Sequence, residues 1–541
     1  MQSPLTLFSN KTFRNLWSAS QMSNFGGLVQ AVGASWMMTS LTSSEAMVAL
    51  VQGSITLPLM LFSLTAGVLA DNYDRRKIML VAQIGMMTVS VALTLLAYSG
   101  LLTPWSLLAF TFLIGCGTAL HGPSWQASMG DIVSREDLSS AVSLNSMGFN
   151  LMRSVGPAAG GAIVALAGAA MAFAVNAVSY LAIIAALFGW KAPERDRHLP
   201  PEPLGLAFAA AFRYVGMSPN ILRVILRGTM FGFAAAAMQS LMPVIARDQL
   251  DGNAFTFGIL LGCFGFGAVG GALANPHLRD RFRNEWISRA AFLVFAAGTV
   301  VTGISQSLPL TAVALLFSGA SWVVTLSLFN VTVQLSTPRW VVGRAVALYQ
   351  TGTFGGMAAG AWLWGGLSEK AGLGPTMIIA AIALVIGALV GLRLPLPEVA
   401  GLNLDPLNRF REPQLRLELR QRSGPIMVMV DYEIAQEDVP EFLALMRQRR
   451  RMRIRDGAQQ WALLRDLEKP DHWTESYHVP TWQEYVRHNE RRTVADVADY
   501  EKLRALHRGK GLPEVHRMIE RQTVDVRDNM PLKPFPTEGV L

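Results

Sequence analysis

Apolar residues in this chain come in about twelve long blocks, each broken by a short polar or charged clump. The blocks lie near 16–38, 47–70, 78–99, 105–129, 140–164, 169–190, 221–246, 256–275, 287–305, 309–335, 345–367 and 375–394. Runs of about 18 or more apolar residues predict membrane-crossing helices. After Pro395 the pattern changes to ordinary mixed sequence. "IMVMVDYEI" alternates as a strand, and Val439 to Ile454 has the period of an amphipathic helix. "QQWALLRDLE" and "HWTESYHV" follow as two strands with a turn at Lys469 to Asp471, then a helix from Trp482 and a last strand at "VHRMIER". That β-α-β-β-α-β order predicts a small ferredoxin-like α+β domain.

The blocks repeat. A shift of 204 positions carries "GVLADNYDRRK" at Gly67 onto "GALANPHLRDR" at Gly271. It also carries Gly115, Arg135, Gly156 and Gly161 onto Gly319, Arg339, Gly360 and Gly365. One shift held over about 100 residues marks an internal duplication of the kind found in membrane transporters. Six blocks per half give the halves the same orientation. The predicted fold is therefore an all-α polytopic membrane protein of twelve transmembrane helices in two parallel six-helix halves, with the small α+β domain appended. The expected boundaries are 1–190 and 216–395 for the halves, 191–215 and 396–424 for linkers, 425–525 for the appended domain and 526–541 for a tail.

Composition adds orientation. The chain is 51% hydrophobic and 16% charged, with a net charge of +8. Basic residues crowd the even-numbered connections, among them Arg75, Arg76, Lys77, Arg135, Lys191, Arg213, Arg279 and Arg339, whereas the odd-numbered ones hold only Arg247 and Lys370. The positive-inside rule then predicts an inner-membrane protein with both termini in the cytoplasm. The excess charge follows from topology and a basic C-terminal region, and nucleic acid is not an expected partner. No cleavable signal pattern precedes the first block. Cys116 and Cys263 both fall inside predicted spans without metal-ligand spacing, which excludes a disulfide framework. No metal, cofactor or nucleotide-binding motif is found, so no catalytic residue is expected in the membrane part.

Two parallel six-span halves with G-x-L-A-D-x-x-x-R-R-K between spans two and three resemble the major facilitator superfamily of secondary transporters, over about residues 10–395. "VSREDLSSAVSLNSMGFNLMRSVGPAAGG" is similar to its enterobactin-exporter, secretion-effector-like branch. The C-terminal domain resembles the monooxygenase-type appendage seen in that branch, through its element order and "VRHNERRTVAD". The resemblance implies that Asp71, Arg75 and Arg76 form a conformational latch at the cytoplasmic end of span two; a plain positive-inside anchor is the other reading. Departures from the pattern are Asn72, Asp74 and, in the second copy, Asn275, so a latch would be carried by the first half. The arginine that drug exporters carry in span four is absent, Thr111 standing in its place. The span-five motif survives as Gly156, Pro157, Gly160 and Gly161, small residues that allow close helix packing.

Ionisable groups within spans are costly and commonly functional. No Asp or Glu lies deep in a predicted span. His121 in span four, Arg153 in span five and Arg227 in span seven remain, with the amides Gln21, Asn24, Asn145 and Asn150. Arg153 lies roughly 20 Å along its helix, near mid-depth. These seven residues are the expected substrate cavity, suited to an anionic or acceptor-rich small molecule. Arg153 bonded to backbone carbonyls of a broken helix is the alternative. His121 titrates nearest neutral pH and is the expected carrier of any coupling proton. The expected function is export of a small metabolite such as a siderophore or antibiotic-like compound, with lipid as a further partner and dimerisation through the C-terminal domain open. The competing class is a membrane-tethered enzyme or assembly factor whose function sits in that domain.

Overall fold

The computed structural model describes residues 4–134, 137–191, 204–338, 340–398, 404, 407, 410 and 412–520; within helices, some side chains, Asp71 and Asn150 among them, lie outside the described set. Residues 192–203 of the expected linker between the halves and the terminal stretch 526–541 fall outside it too.

The first half holds α1 (Lys11–Leu41), α2 (Glu45–Asn72), α3 (Arg75–Tyr98), α4 (Pro104–Ile132), α5 (Leu138–Ala167) and α6 (Ala169–Gly189). A shorter α7 (Leu204–Gly216) follows. The second half holds α8 (Pro219–Val244), α9 (Ala254–Arg281), α10 (Asn284–Ile304), α11 (Leu308–Leu335), α12 (Val342–Ala371) and α13 (Leu373–Arg393). Among the described residues nine of these helices are long and apolar enough to cross a membrane; α1, α5 and α12 are long but more polar. Local signals set the ends. Asn10, Ser44, Asp74, Thr103 and Asn253 each accept backbone N–H groups at the start of a helix. Pro104 stands in the first turn of α4, where its missing N–H costs nothing.

The duplication reappears as equivalent packing. Gly115 of α4 lies on α2 at Pro58, and its counterpart Gly319 of α11 lies on α9 at Phe264. Gly156 sets α5 on α1 at Leu28; Gly360 sets α12 on α8 at Phe233. Each position lets two backbones approach more closely than a side chain would permit.

Two compact bodies result. One is Met1–Gly205 with Asn220–Val333 and Arg344–Glu398; the other joins Val399–Leu541 to Leu206–Pro219 and Gln334–Gly343. The core of the second is β1 (Ile426–Glu433), α14 (Val439–Asp456), β2 (Gln459–Arg465), β3 (His472–Val479), α15 (Trp482–Glu490), α16 (Ala495–Leu506) and β4 (Glu514–Ile519). The sheet order is β2-β3-β1-β4, every pair antiparallel. Along β1, Ile426, Val428, Val430 and Tyr432 are buried and alternate with half-buried residues. They pack with Phe442, Leu445 and Met446 of α14, so one face of the sheet is covered by helices.

This body also takes in α7, inside the stretch expected to be linker, and the α11–α12 connection. Tyr214 of α7 meets Trp340 edge-on at 5.5 Å. Arg455 stands 5.2 Å over the Tyr214 ring, and Arg491 stands 4.3 Å over that of Trp340. Arg213 donates through Nε to the Arg455 carbonyl at 3.3 Å. Gly457, at φ +122°, ends α14 beside Arg213 and Arg491, where a side chain would be strained.

Candidate functional site

The two halves meet along a seam whose contacts among the described residues gather at one end, away from the basic connections. A Cβ on Gly161 of α5 would stand 2.6 Å from the Gly258 Cα of α9. The counterpart Gly365 of α12 meets Ala46 and Ala49 of α2, and Gly53 lies nearby against Ala361. Arg247 donates to the Thr39 carbonyl at 2.9 Å, Trp36 stacks on Phe257 at 6.3 Å, and the Ser368 hydroxyl donates to the Glu45 carboxylate. At the basic end, every hydrogen bond given for Arg75, Arg76, Asn275 and Arg227 stays within its own half.

The loop after α2 is built from these local bonds. Arg75 donates to the Ala70 carbonyl at 3.1 Å, to the Ala127 carbonyl and to Asp131 of α4 at 2.9 Å. Arg76 donates to the carbonyls of Leu187 and Phe188 at 2.8 and 2.9 Å, satisfying the end of α6. Asp74, treated above only as a departure, is the N-cap of α3 and accepts from the Arg76 and Lys77 amides. An Asp just before a basic, apolar run is itself a cap signal. In the second half Asn275 donates to Ser327 at 2.9 Å, a neutral pair where the first copy has its acid.

Within the first half, Gln83 of α3 donates to His121 Nδ1 at 3.2 Å, which leaves the His121 proton on Nε2. The His121 ring lies parallel to Trp125 at 6.2 Å, and Trp125 donates to Asn145 Oδ1 at 3.1 Å. Gln83, Trp125 and Asn145 thereby tie His121 to three helices. Gln83 was not singled out in the sequence, although an amide within a span is a signal of the same kind as Gln21. Gln21 is buried against Gly148 with neither amide atom partnered among the described residues, and Asn24 is half-buried on the same helix. Gln30 instead joins a buried network, accepting from Ser90 at 2.9 Å and Asn176 at 2.6 Å.

Arg153 stands apart from these. On α5, Gly156 and Gly160 face α1 at Leu28 and Val29, while Pro157 and Gly161 face Gly258 of α9. At 100° per residue Arg153 falls on the face between them, toward the seam. No hydrogen bond or ion pair holds its guanidinium among the described residues. Arg227 is the opposite case. It is 1% exposed, donates to Glu285 and to Ser288 at 3.0 Å, and lies between the rings of Phe292 and Phe329 at 5.7 and 5.9 Å. Glu285 also accepts from the Leu396 amide at 2.9 Å, so this pair joins α8, α10 and the chain after α13.

The C-terminal domain buries a second charged group. Glu475 of β3, fully buried, accepts from Arg449 at 2.7 Å, Arg453 at 3.3 Å and Trp461 at 3.0 Å. Burial alone would raise its pKa, but the two guanidinium charges outweigh that and hold it at about 2. His488 shares a 3.0 Å contact with Arg453 through Nε2; burial, then the Arg453 and Arg492 charges, push its pKa well below the ordinary value. As a neutral ring it accepts this bond. His472, His478, His488, Trp461, Trp473 and Trp482 do not line one pocket: His488 and Trp461 serve this network on the helix side, Trp473 packs on Phe442 at 5.5 Å, Trp482 donates to Glu412, and His472 and His478 alternate onto the other sheet face. Among the described residues no group of His, Cys, Asp and Glu could hold a metal.

Comparison with known proteins bears on the whole chain. A family model described as transmembrane secretion effector matches residues 2–524, C-terminal domain included. Enterobactin exporter EntS of Salmonella choleraesuis (strain SC-B67) is 29% identical over 360 residues, covering 64% of this chain and 81% of its own. The staphyloferrin A transporter of Staphylococcus aureus (strain NCTC 8325 / PS 47) is 26% identical over 267 residues, covering 48% of this chain; the match spans 66% of that relative's length. Among solved structures, a bacterial homologue of the human lysosomal transporter Spinster, inward-facing and unoccupied, aligns with TM-score 0.57 at 17% identity over 70% of this chain and 95% of that one. The POT family transporter PepTSo aligns with TM-score 0.59 at 13% identity over 71% and 97%. At these identities the structures speak for the fold alone.

Proposed function

Because the chain belongs to the transmembrane secretion effector family of major facilitator transporters, we propose that it is a secondary transporter that exports a small, siderophore-like anion across the inner membrane. The observation that carries the choice of cargo is Arg153. A guanidinium near mid-depth in a span, facing the seam and without a hydrogen bond or ion pair among the described residues, is suited to water or a negative ligand. Siderophore-class molecules present carboxylates or phenolates that suit it, and the relatives' names point to the same class.

In this reading the twelve long helices all span, and the basic connections face the cytoplasm. The conformer in which Gly161 meets Gly258 is then the one that takes up cargo from inside. Export follows when the halves rock about Gly161–Gly258 and Gly365–Ala49, sealing the basic end and parting the other. Gln21, Asn24, Asn145 and His121 supply further polar lining, with His121 as the group able to carry a proton; the side chain of Asn150, expected with them, lies outside the described set. Arg75 and Arg76 brace the first half as parts of the latch, for which the resemblance assigns Asp71 as the acid. Arg227 supports the cavity from behind through Glu285. The strand order of the C-terminal domain supports a ferredoxin-like assignment, and its uncovered sheet face suits a second copy; no step of transport is assigned to it.

The test is a comparison of small molecules retained by a deletion strain and its parent under iron limitation. Accumulation of an iron-chelating acid inside the deletion strain, reversed by the wild-type gene, is expected. Identical intracellular pools in the two strains would refute the proposal.

A further inference from the structure

We infer that a groove on the outer surface of α9, α10 and α11 is a binding site for one acyl chain of an anionic phospholipid. The groove encloses about 670 Å³. Its floor is concave because small residues line it: Gly270, Gly271 and Ala274 from α9, Ala290 and Ala291 from α10, and Ala320 from α11. The same smallness draws the helices together. A Cβ on Gly271 would overlap the Ala320 carbonyl, so the crossing of α9 and α11 leaves a hollow beside it that none of the three helices fills.

Three observations choose the occupant. The first is polarity. Among the lining residues only Ser321 and Trp286 carry a polar side-chain atom; the Ser321 hydroxyl is already spent on the Phe317 carbonyl at 2.6 Å, and Trp286 stands at the mouth. A polar ligand would find no free partner on the floor, whereas a hydrocarbon chain loses nothing. The second is length. The lining runs from Phe282 at the basic end to Gly270, twelve positions along α9 and its end, or roughly 18 Å at helical rise. One leaflet of hydrocarbon is about half of the ~30 Å core, so the groove has the depth of a single acyl chain, from interface to midplane.

The third is the mouth. Phe282 and Trp286 stand there 56% and 61% exposed, an aromatic pair at interface level. Arg289 lies with its guanidinium 5.0 Å over the Trp286 ring, and the exposed Arg281 stands one residue before Phe282. Neither arginine has a carboxylate partner among the described residues. Arg289 begins a turn below the helix end and reaches up along Trp286, the posture of a side chain delivering its charge to the head-group layer. Guanidinium groups at that level favour an anionic head over a zwitterionic one, by about five-fold for each. Under the 204-residue shift, Leu278, Phe282 and Trp286 become Asp74, Ile78 and Ala82, so the first half has no equivalent mouth at the matching positions.

The experiment uses the full chain in nanodiscs of mixed phosphatidylglycerol and phosphatidylcholine, released into the mass spectrometer with retained lipid counted. One phosphatidylglycerol per chain is expected, favoured at least five-fold over phosphatidylcholine. Filling the floor with Ala290→Trp should lower that retention about ten-fold; Arg289→Gln should keep a lipid but lower the preference about five-fold, and Arg281→Gln in the same chain should erase the rest. Ile379→Trp, on the exposed surface of α13, should change nothing. Should Ala290→Trp fail to fold, quenching by phospholipid brominated along its chain replaces it. Trp286 should be quenched more by brominated phosphatidylglycerol than by brominated phosphatidylcholine in the parent, a difference lost in Trp286→Phe; equal quenching by the two lipids in the parent overturns the inference. Retention equal in the parent and Ala290→Trp, or no head-group preference in the parent, overturns the inference. Loss of a protein dimer instead of a lipid in Ala290→Trp overturns it in favour of a self-association surface.

Discussion

Replacing Gly161 by valine should tip the conformational balance of the two halves. In the conformer described, a Cβ at this position would lie 2.6 Å from the Gly258 Cα and 2.7 Å from the Ala254 carbonyl oxygen. Carbon contacts are comfortable at about 3.5–4.0 Å, and both neighbours are backbone, so α5 and α9 must part by about 1 Å. Overpacking of this kind costs about 1–3 kcal/mol. The cost falls only on the conformer in which the halves touch here, which converts to a population shift of about 5–150-fold. Gly160 serves as control: it packs on Val29 and Val32 of its own half, so Gly160→Ala should lower stability without switching conformers. Spin labels at Ser43→Cys and Phe255→Cys, with Cys116 and Cys263 replaced by serine, would read the distance across the sealed end. The parent should give one short-distance population and Gly161→Val a second, longer one. Identical distance distributions in a folded Gly161→Val protein would refute the reasoning.

Other positions make sharper local predictions. Glu475→Gln should destabilise the C-terminal domain by about 3 kcal/mol, because it leaves Arg449 and Arg453 buried without their acid; hydrogen exchange along β3 would show it. The pKa of Glu475 falls from 4.5 to about 2 on folding. Its stabilisation is therefore complete above pH 4.5 and disappears as pH falls toward 2, and the Gln variant should lack that slope. Arg75→Gln should lower thermal stability by about 1 kcal/mol, since its partner Asp131 is partly exposed, and Asp131→Asn in the same chain should add little more. Arg491→Ala should raise exchange in α7 and in the α11–α12 connection together, by about 1–2 kcal/mol, while Arg491→Lys retains most of the protection.

The parts legible in the sequence are those written in local pattern or in repetition. Block length and the shift of 204 positions carried the helices, and alternation in "IMVMVDYEI" carried β1. Partnerships between distant positions were not legible. Arg227 looks like a cavity charge until Glu285, 58 positions away, is seen beside it. Arg75 suggests a bond to the nearby Asp71, yet the acid it meets among the described residues is Asp131, at the far end of α4. Helix α7 hides in an alanine-rich stretch after a proline-rich one, and only its contacts with Arg455 and Trp340 explain why Tyr214 is there. Arg153 shows the reverse. Its residue type and depth raised it as a candidate, and the glycines flanking it define the direction it faces.

The most direct test of the account is uptake of enterobactin, as a catecholate probe, into liposomes containing the protein under an imposed pH gradient. The account predicts gradient-driven uptake by the parent, reduced at least ten-fold in Arg153→Gln and partly kept in Arg153→Lys. Uptake by Arg153→Gln equal to that of the parent would contradict it.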